Sequence, residues 1–594
     1  MKRVLLIVLS LVFSVQIFSQ EDNSPMKVIC LIGDKLVNTT PFKNRLVVSS
    51  NSDNFNNLKF VNFKRSFGQY SDAYAYALSS FIASEDSTLS VQVTHNDHCI
   101  LWLNGKEVYN NKKTSKLFLS HEERSVELTD TLNLSLKKGI NIFMVQLSTT
   151  GDDWSFFIQP EPEKGAVNKI SKHPVFLSLK GLDNIDSSIE KLSSWLICGP
   201  FEKKQDAFHS LKDFSWGEMY YSDLCGYVTW TLPKIDILGD VISPVEWGTN
   251  YNWNYHNGGV AWAMFVLSEL TGEEKYADYA KKFCDFHLKN IPFIKYQIEE
   301  LNAFNCTNHH IYKTPLLDFT LAPSLPFIYA LNSNMVLNDK EAYVKFVLEM
   351  LDYVRKQIRL PGMSAYTRLT PVKYTTWVDD MFMGIPFLVQ AFNYTKDLSY
   401  LYDAAKQVLD YNNIVWDKES KLYVHAQYSN KSDIKMPHWS RANGWGIWAI
   451  TEVLKCLDRD SDYYKLILRH YQEHVSSLVT YQNERGFWYN VIDYPESREE
   501  VSGTAIFTMA IARGIRYGWI DKKKYYPVVA KGWSAISSKV DYDGTVYDIC
   551  YGTMCSPDIE YYCNRPFYKD DTHGLFAVLF AGIEVYLLEN MSNN

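Results

Sequence analysis

DMFMGIPFLVQAF (Asp380–Phe392) is followed closely by LSYLYDAAKQVLDY (Leu398–Tyr411). At helical spacing the first stretch is apolar on every side. The second is apolar at three- and four-residue intervals, with charges between. A helix that is apolar all round must be enclosed by others, whereas the second kind covers a core with one face and meets water with the other. The pairing recurs. VAWAMFVLSEL (Val260–Leu270) precedes EEKYADYAKKFCDFHL (Glu273–Leu288), and GWGIWAITEVL (Gly444–Leu454) precedes SDYYKLILRHYQEHV (Ser461–Val475). SGTAIFTMAIARGI (Ser502–Ile515) precedes KKYYPVVAKGW (Lys523–Trp533), and GLFAVLFAGIEVYLL (Gly574–Leu588) comes last. About eleven such segments run from Pro244 onward. An inner ring of apolar helices, each backed by an amphipathic outer one, satisfies both kinds. The pattern therefore predicts a mainly α fold, an (α/α)6 toroid over residues 244–594. A solenoid would alternate in the same way, but no fixed repeat length is visible.

Residues 26–160 read differently. STLSVQV (Ser87–Val93) has period two, and CILWLNGKEVYN (Cys99–Asn110) places two short strands around Asn104-Gly105, a hairpin turn signal. GINIFMVQL (Gly139–Leu147) is a further strand. The segment predicts an N-terminal β-sandwich. Residues 161–240 form a junction, in which SSWLICGPF (Ser193–Phe201) reads as a short buried strand that neither neighbour claims.

Lys2 and Arg3 precede an apolar run from Val4 to Phe18. That is too short for a membrane span and has a charged leader, so residues 1–20 read as a signal peptide and the mature protein as periplasmic or secreted. No later run reads as long and apolar enough to cross a bilayer, and no Cys stands near the cleavage point to carry a lipid, so no membrane anchor is expected. The chain has 594 residues and a net charge of −8, without a long basic run, which argues against nucleic acid as a partner. Ten cysteines are present. Cys550, Cys555 and Cys563 cluster, but without a fourth ligand at zinc spacing, and His309-His310 point apart. Burial or a local disulfide suits the cysteines better, and no metal or cofactor is expected. Aromatic residues make up 15% of the chain, a share that serves large cores and, in places, stacking platforms for sugar rings.

Polar and aromatic clusters fall at the mouths of the inner helices: NYHNGG (Asn254–Gly259), LLDFTLAP (Leu316–Pro323), WVDD (Trp377–Asp380), YVHAQY (Tyr423–Tyr428), HWSRANGW (His438–Trp445), EVSGTA (Glu500–Ala505) and CNRPFYKDDTHG (Cys563–Gly574). In a toroid these ends converge on one concave face. Trp and Tyr there can stack on a ring, Arg can hold an anionic group and an acid can do proton chemistry. The clusters therefore predict a pocket for a polar, ring-shaped, anionic ligand.

WVDDMFMGIPF, HWSRANGW and EVSGTAIF, in this order, closely resemble glycoside hydrolase family 105, the unsaturated rhamnogalacturonyl hydrolases and their relatives. GTMC and YYCNRPFYKDDTHG are similar to one branch of it. The resemblance covers roughly Pro244 to the C-terminus. Outside that stretch, WLNGKEVY resembles the jelly-roll modules found ahead of many glycoside hydrolases.

The resemblance implies a substrate with a 4,5-unsaturated uronic acid at its non-reducing end, made by a polysaccharide lyase. It implies hydration rather than direct displacement: a carboxylic acid protonates C4, cation character develops at C5, water adds there, and the hemiketal opens. Asp379, two places after Trp377, matches the family's catalytic acid. Asp380 is then expected to cap the helix, and a tryptophan-lined mouth beside the Asp380 charge is expected to favour neutral Asp379. Asp318 matches a second acid. Trp377, His425, Trp439, Arg441, Trp445 and His573 match substrate-binding positions, with Arg441 expected to contact the substrate and Asn443 and Gly444 to shape a turn. The sequence departs from the family around TRLTP: Arg368 stands where members acting on rhamnogalacturonan often have His. An arginine there suits further anionic groups and opens sulfated algal polysaccharide, such as ulvan fragments, beside pectin. Two alternatives stand beside this reading: a family 88-type unsaturated glucuronyl hydrolase acting on glycosaminoglycan fragments, and a non-catalytic sugar-binding protein. Loss of absorbance from unsaturated oligosaccharides separates enzyme from binder, and a rise would indicate a lyase.

Overall fold

A computed structural model of the protein describes residues 23–43, 45–46, 60–112, 117–119, 124–126, 130–151, 154–165, 170–172, 195–203, 219–233, 242–243, 251–299, 308–312, 316–431 and 433–591. The expected signal peptide lies outside them, as does most of the junction. The chain divides into two compact units. One comprises residues up to 42, 247–289 and 314–594, and the other comprises 43–246 and 290–313.

Among the described residues the first unit is built on twelve helices: α1 (Pro25–Thr39), α2 (Tyr255–Thr271), α3 (Glu274–Glu299, whose residues after 289 fall in the second unit), α4 (Leu325–Asn332), α5 (Lys340–Lys356), α6 (Asp379–Thr395), α7 (Leu398–Val415), α8 (Ser440–Leu454), α9 (Asp462–Leu478), α10 (Val501–Arg516), α11 (Lys522–Ser537) and α12 (Thr572–Asn590). Six close a ring. In order, α2 touches α4, α4 touches α6, and so on through α8, α10 and α12, which returns to α2. Outside the ring α5 packs on α4, α7 on α6, α9 on α8, α11 on α10 and α1 on α12, and α9 also touches the outer helix α7. α3 follows α2, with its Phe283 and His287 rings against Trp253 at the entry to α2. Every residue of α8 is buried. The amphipathic α9 buries only Tyr464, Ile467, His470, Tyr471, His474, Val475 and Leu478, one face at helical spacing. Gly444 admits a close approach: a Cβ there would lie 2.9 Å from Ile506 of α10.

The outer layer is completed from an unexpected quarter. Residues 26–39, assigned from sequence to the β-sandwich, form the helix α1. Its buried stripe of Val28, Ile29, Ile32, Gly33 and Leu36 has helical spacing, and Pro25 suits a first helical turn. The Ile29 side chain packs directly on the α12 backbone, since a Cβ on Gly582 of α12 would stand 2.2 Å from Ile29 Cγ2. Lys35 Nζ then ties α1 to Asp570 just before α12, at 2.7 Å from Oδ2, and to Thr545 in the turn after α11, at 2.5 Å from Oγ1. The helical unit is thus discontinuous in sequence, and the expected start at 244 omits its twelfth helix. A second expectation is also corrected. α12 is long and apolar enough to cross a bilayer by composition alone, but 78% of its apolar window is buried inside the protein, as an inner-ring position requires.

The second unit is β-rich. Its strands include β1 (Phe60–Asn62), β2 (Ala73–Ala83), β3 (Ser87–His95), β4 (Cys99–Leu103), β5 (Lys106–Asn111), β6 (Asp130–Leu136), β7 (Gly139–Thr149), β8 (Ser155–Gly165), β9 (Ile170–Lys172) and β10 (Leu196–Glu202). One antiparallel sheet runs β9-β2-β7-β4-β5 with β10 also on β2, and another runs β1-β8-β3-β6. Alternate residues of both sheets enter one core: Ala73, Ala75 and Ala77 from β2, Leu89, Val91 and Val93 from β3, and Phe143, Val145 and Leu147 from β7, with Trp154 and Trp195. The Asn104-Gly105 turn has φ of 51° and 80°, the left-handed pair that a two-residue hairpin needs. The unclaimed SSWLICGPF strand belongs to this unit, where Leu196 pairs with Leu78 and Ile197 with Ala77. Among the described cysteines all are free thiols, and Cys550 and Cys555 are buried.

Candidate active site

The N-terminal ends of the inner helices carry the motif residues. Thr376-Trp377 pairs antiparallel with Ala426-Gln427 just before α6. The Val378 N–H donates to His425 O at 3.1 Å, and the His425 N–H to Pro437 O at 3.1 Å. Asn443 of α8 binds both backbone groups of Tyr423, so WVDD, LYVHA and HWSRANGW are held as one assembly. This pairing sets His425 beside the first turn of α6. Its Nε2 is 3.1 Å from Asp379 Oδ2, an ion-pair distance, though neither atom is in line for a hydrogen bond. Catalytic contacts of this kind often align only once substrate is bound. Behind the ring, His425 Nδ1 is 2.6 Å from the Tyr562 hydroxyl.

The neighbouring acid has a different task from the one expected. The N-cap of α6 is Val378, with no side-chain cap, so Asp380 does not cap the helix. Its carboxylate is 2% exposed and is gripped by Arg368, whose Nη2 donates to Oδ1 at 2.7 Å and Nε to Oδ2 at 3.0 Å. The same guanidinium donates to Asp318, Nη1 to Oδ2 at 3.0 Å and Nη2 to Oδ1 at 3.1 Å. It lies over the Trp377 ring, 4.8 Å from its centroid. Arg368 is therefore committed to two carboxylates, which corrects its reading as a receptor for substrate anions. Asp318 is correspondingly held by an arginine at the rim.

The two adjacent acids are shifted in opposite directions. Burial pushes the Asp380 carboxyl up to about 6, Asp318 and Asp379 add to the push, and Arg368 opposes it. One shared guanidinium does not neutralise three carboxylates. Burial pushes Asp379 up as well, but His425, Arg368 and Arg441 outweigh it and leave its carboxyl below the usual value. The expectation that Asp379 is the acid kept neutral in the free protein is thus reversed.

The tryptophans are walls rather than platforms. Trp377 is 2% exposed and meets His425 edge-on, with its indole N–H unpartnered. Trp439 lies 4.7 Å from His425 and donates to Asn490 Oδ1. Trp445 stacks on Phe576 and Phe382 inside the ring. All three are buried: Trp377, in the strand before α6, and Trp439, the N-cap of α8, pack against His425, and Trp445, inside α8, faces neighbouring helices. Arg441 is fully buried too. It stacks on Trp439 at 4.6 Å and donates to Cys550 O, Tyr551 O and Ser502 Oγ. Its planar fork clamps backbone, which replaces the expected substrate contact. Glu500 caps α10 and accepts from Cys550 N.

His573 does stand at the rim, partly exposed. Its Nδ1 is 2.5 Å from Asp571 Oδ1, and its ring stacks on His256 at 4.2 Å, with Tyr255 and Tyr551 edge-on. Asp571, not His573, caps α12. Tyr255, His256, Tyr551, Tyr562 and Arg565 were not singled out from sequence, although NYHNGG and the C-terminal motif contain most of them. Arg565 lies between Tyr551 and Tyr561 and donates to Gly552 O.

Three acids, an arginine and a histidine at the mouth of a closed helical ring place the chain with the toroidal glycoside hydrolases. The sequence model of Glycosyl Hydrolase Family 88 matches residues 240–589, and the chain belongs to that family; the family 105 assignment made from its motifs stands with it. An unsaturated 3S-rhamnoglycuronyl hydrolase of Formosa agariphila is 28% identical over 226 residues, 36% of this chain and 58% of that protein. The unsaturated rhamnogalacturonyl hydrolase YesR of Bacillus subtilis is 26% identical over 342 residues, 56% of this chain and 90% of YesR. A solved structure described as a possible family 105 member, from Salmonella enterica, has a TM-score of 0.50 at 17% identity, over 61% of this chain and 87% of that one. The last likeness concerns the fold alone.

Proposed function

We propose that the protein removes a 4,5-unsaturated uronic acid from the non-reducing end of lyase-generated oligosaccharides in which the uronate is linked to rhamnose. The observation that carries the reading is Asp379. It stands at an inner-helix mouth, 13% exposed, against a buried histidine, while both other acids are tied to Arg368. Of these three acids, Asp379 is the one not bonded to Arg368. In the neutral form it protonates C4. Cation character then develops at C5, and the Asp379 carboxylate takes a proton from the water that adds there. The inner-helix N-termini favour an anionic ligand at this face. Rhamnose occurs in the names of both relatives above, which supports it as the linked sugar. Sulfated algal substrates keep that support but lose the argument from Arg368. We further propose that residues 1–20 direct export, and that the β-rich unit is a jelly-roll-like sandwich that supplies no catalytic group.

Lyase digests of ulvan, rhamnogalacturonan and glycosaminoglycan, followed by loss of absorbance of the unsaturated ring, test the reading. Turnover of a rhamnose-linked digest is expected. Turnover of glycosaminoglycan digests alone would overturn the choice of substrate, and turnover of none would overturn the activity.

A further inference from the structure

The Tyr562 hydroxyl has no part in the chemistry above. Tyr562 lies on the short helix Ile559–Cys563, is fully buried, and has its carbonyl held by Asn490 Nδ2 at 2.9 Å. Its oxygen accepts from the Ser556 N–H at 3.1 Å and is 2.6 Å from His425 Nδ1. A phenol has one proton to donate, and a buried donor needs an acceptor. Among the described residues, the acceptor this hydroxyl meets is Nδ1. The O–H therefore donates to Nδ1, so the proton of the neutral imidazole sits on Nε2 and faces Asp379 Oδ2 at 3.1 Å.

We propose that Tyr562 is a positioning residue that fixes the tautomer of His425 and so keeps the transferable proton of Asp379 on Oδ1. This rests on Asp379 being the proton donor. Once bound substrate aligns the pair, an Nε2–H donor claims Oδ2, and an acid proton then resides on the other oxygen, free to reach substrate. With the opposite tautomer Nε2 would be an acceptor. The Asp379 O–H would turn into it, and the proton would be withdrawn from the reaction. The other titratable or charged groups around the pair are Arg368, Arg441, Asp318, Asp380, Tyr255 and Cys555, and none of them is bonded to Nδ1.

Tyr562→Phe keeps the ring and removes only the O–H. It should lower kcat about tenfold or more and leave KM within about twofold. The alkaline limb of kcat should move to higher pH, because the protonated carboxyl gains Nε2 as an acceptor. A folded variant with unchanged kcat and limb overturns the proposal, and so does one that loses only KM. The second measurement needs no turnover: the nitrogen NMR shifts of 15N-histidine-labelled wild-type protein, with the His425 signals identified by their loss in His425→Gln. Protonated Nε2 and bare Nδ1 are expected, and a protonated Nδ1 in a neutral ring overturns the proposal even if Tyr562→Phe does not fold. Should the wild type fail to turn over any unsaturated oligosaccharide, the functional reading falls, while the tautomer result stands on its own.

Discussion

Deleting the residues before 41 removes α1 and opens the ring's outer layer beside α12. Val28, Ile29, Ile32 and Leu36 are 4%, 0%, 1% and 2% exposed. At roughly 1.5–3 kcal/mol for each fully buried aliphatic side chain, their burial contributes about 6–12 kcal/mol, an upper figure because unfolded chains bury some surface already. A domain's whole stability is of that order, about 5–15 kcal/mol. The deletion should therefore abolish cooperative melting and leave insoluble protein. A chain starting near Pro244, the boundary that the sequence invites, should fail in the same way. Gly582→Leu is the gentler version: its Cβ meets Ile29 within contact distance, and overpacking of about 1–3 kcal/mol should lower the melting temperature by a few degrees. Excising residues 43–250 through a short glycine-serine linker should behave differently. The Phe42 and Tyr251 ring centroids are 5.7 Å apart, so the ends to be joined already meet, and both melting and turnover should survive. Circular dichroism melts paired with turnover assays decide the matter. A soluble chain beginning near Pro244 that melts cooperatively near the wild-type temperature would refute the assignment of α1 to the toroid.

Arg441→Lys keeps a positive charge but cannot reproduce a fork that donates to Cys550 O, Tyr551 O and Ser502 Oγ, and buried carbonyls left unpaired cost about 1–3 kcal/mol each. A clearly lowered melting temperature is expected, and an unchanged one with weaker substrate binding would restore the substrate-contact reading. The pH profile should also show the lowered Asp379 carboxyl. The reaction needs its protonated form, so kcat/KM should fall about tenfold per pH unit above that group's value in the free enzyme. A bound uronate excludes water and adds negative charge, both of which raise the carboxyl, so the alkaline limb of kcat should lie at higher pH than that of kcat/KM. Limbs in the reverse order would contradict the assignment.

The ring was legible because burial on all sides leaves a composition that no amphipathic helix has, as in α8 and α12. The strands around Asn104-Gly105 were legible from period two and a turn that demands positive φ. α1 was not read, although its stripe has helical spacing, because it adjoins the apolar leader and is separated from its partner α12 by more than five hundred residues. The carboxylate at Asp379 was placed from its motif. What adjacent residues would do was not, because sequence spacing cannot show that Arg368 bridges Asp318 and Asp380, or that Arg441 is spent on backbone. Tyr562 lay within a recognised motif, but its contact with His425 spans 137 positions. Tryptophan at a helix mouth suggested stacking surfaces, yet Trp377 and Trp439 pack against His425 and Trp445 faces neighbouring helices.

The most direct test of the central claim is turnover by Asp379→Asn on an unsaturated uronyl disaccharide, followed by absorbance loss with folding confirmed beforehand. The substitution nearly preserves shape, removes the transferable proton and leaves Arg368 with both of its carboxylates. Folding and ligand binding close to wild type are predicted, with turnover reduced roughly a thousandfold or more, within the range in which a general acid-base group acts. Turnover near the wild-type rate would contradict the account and move the proton donor to Asp318.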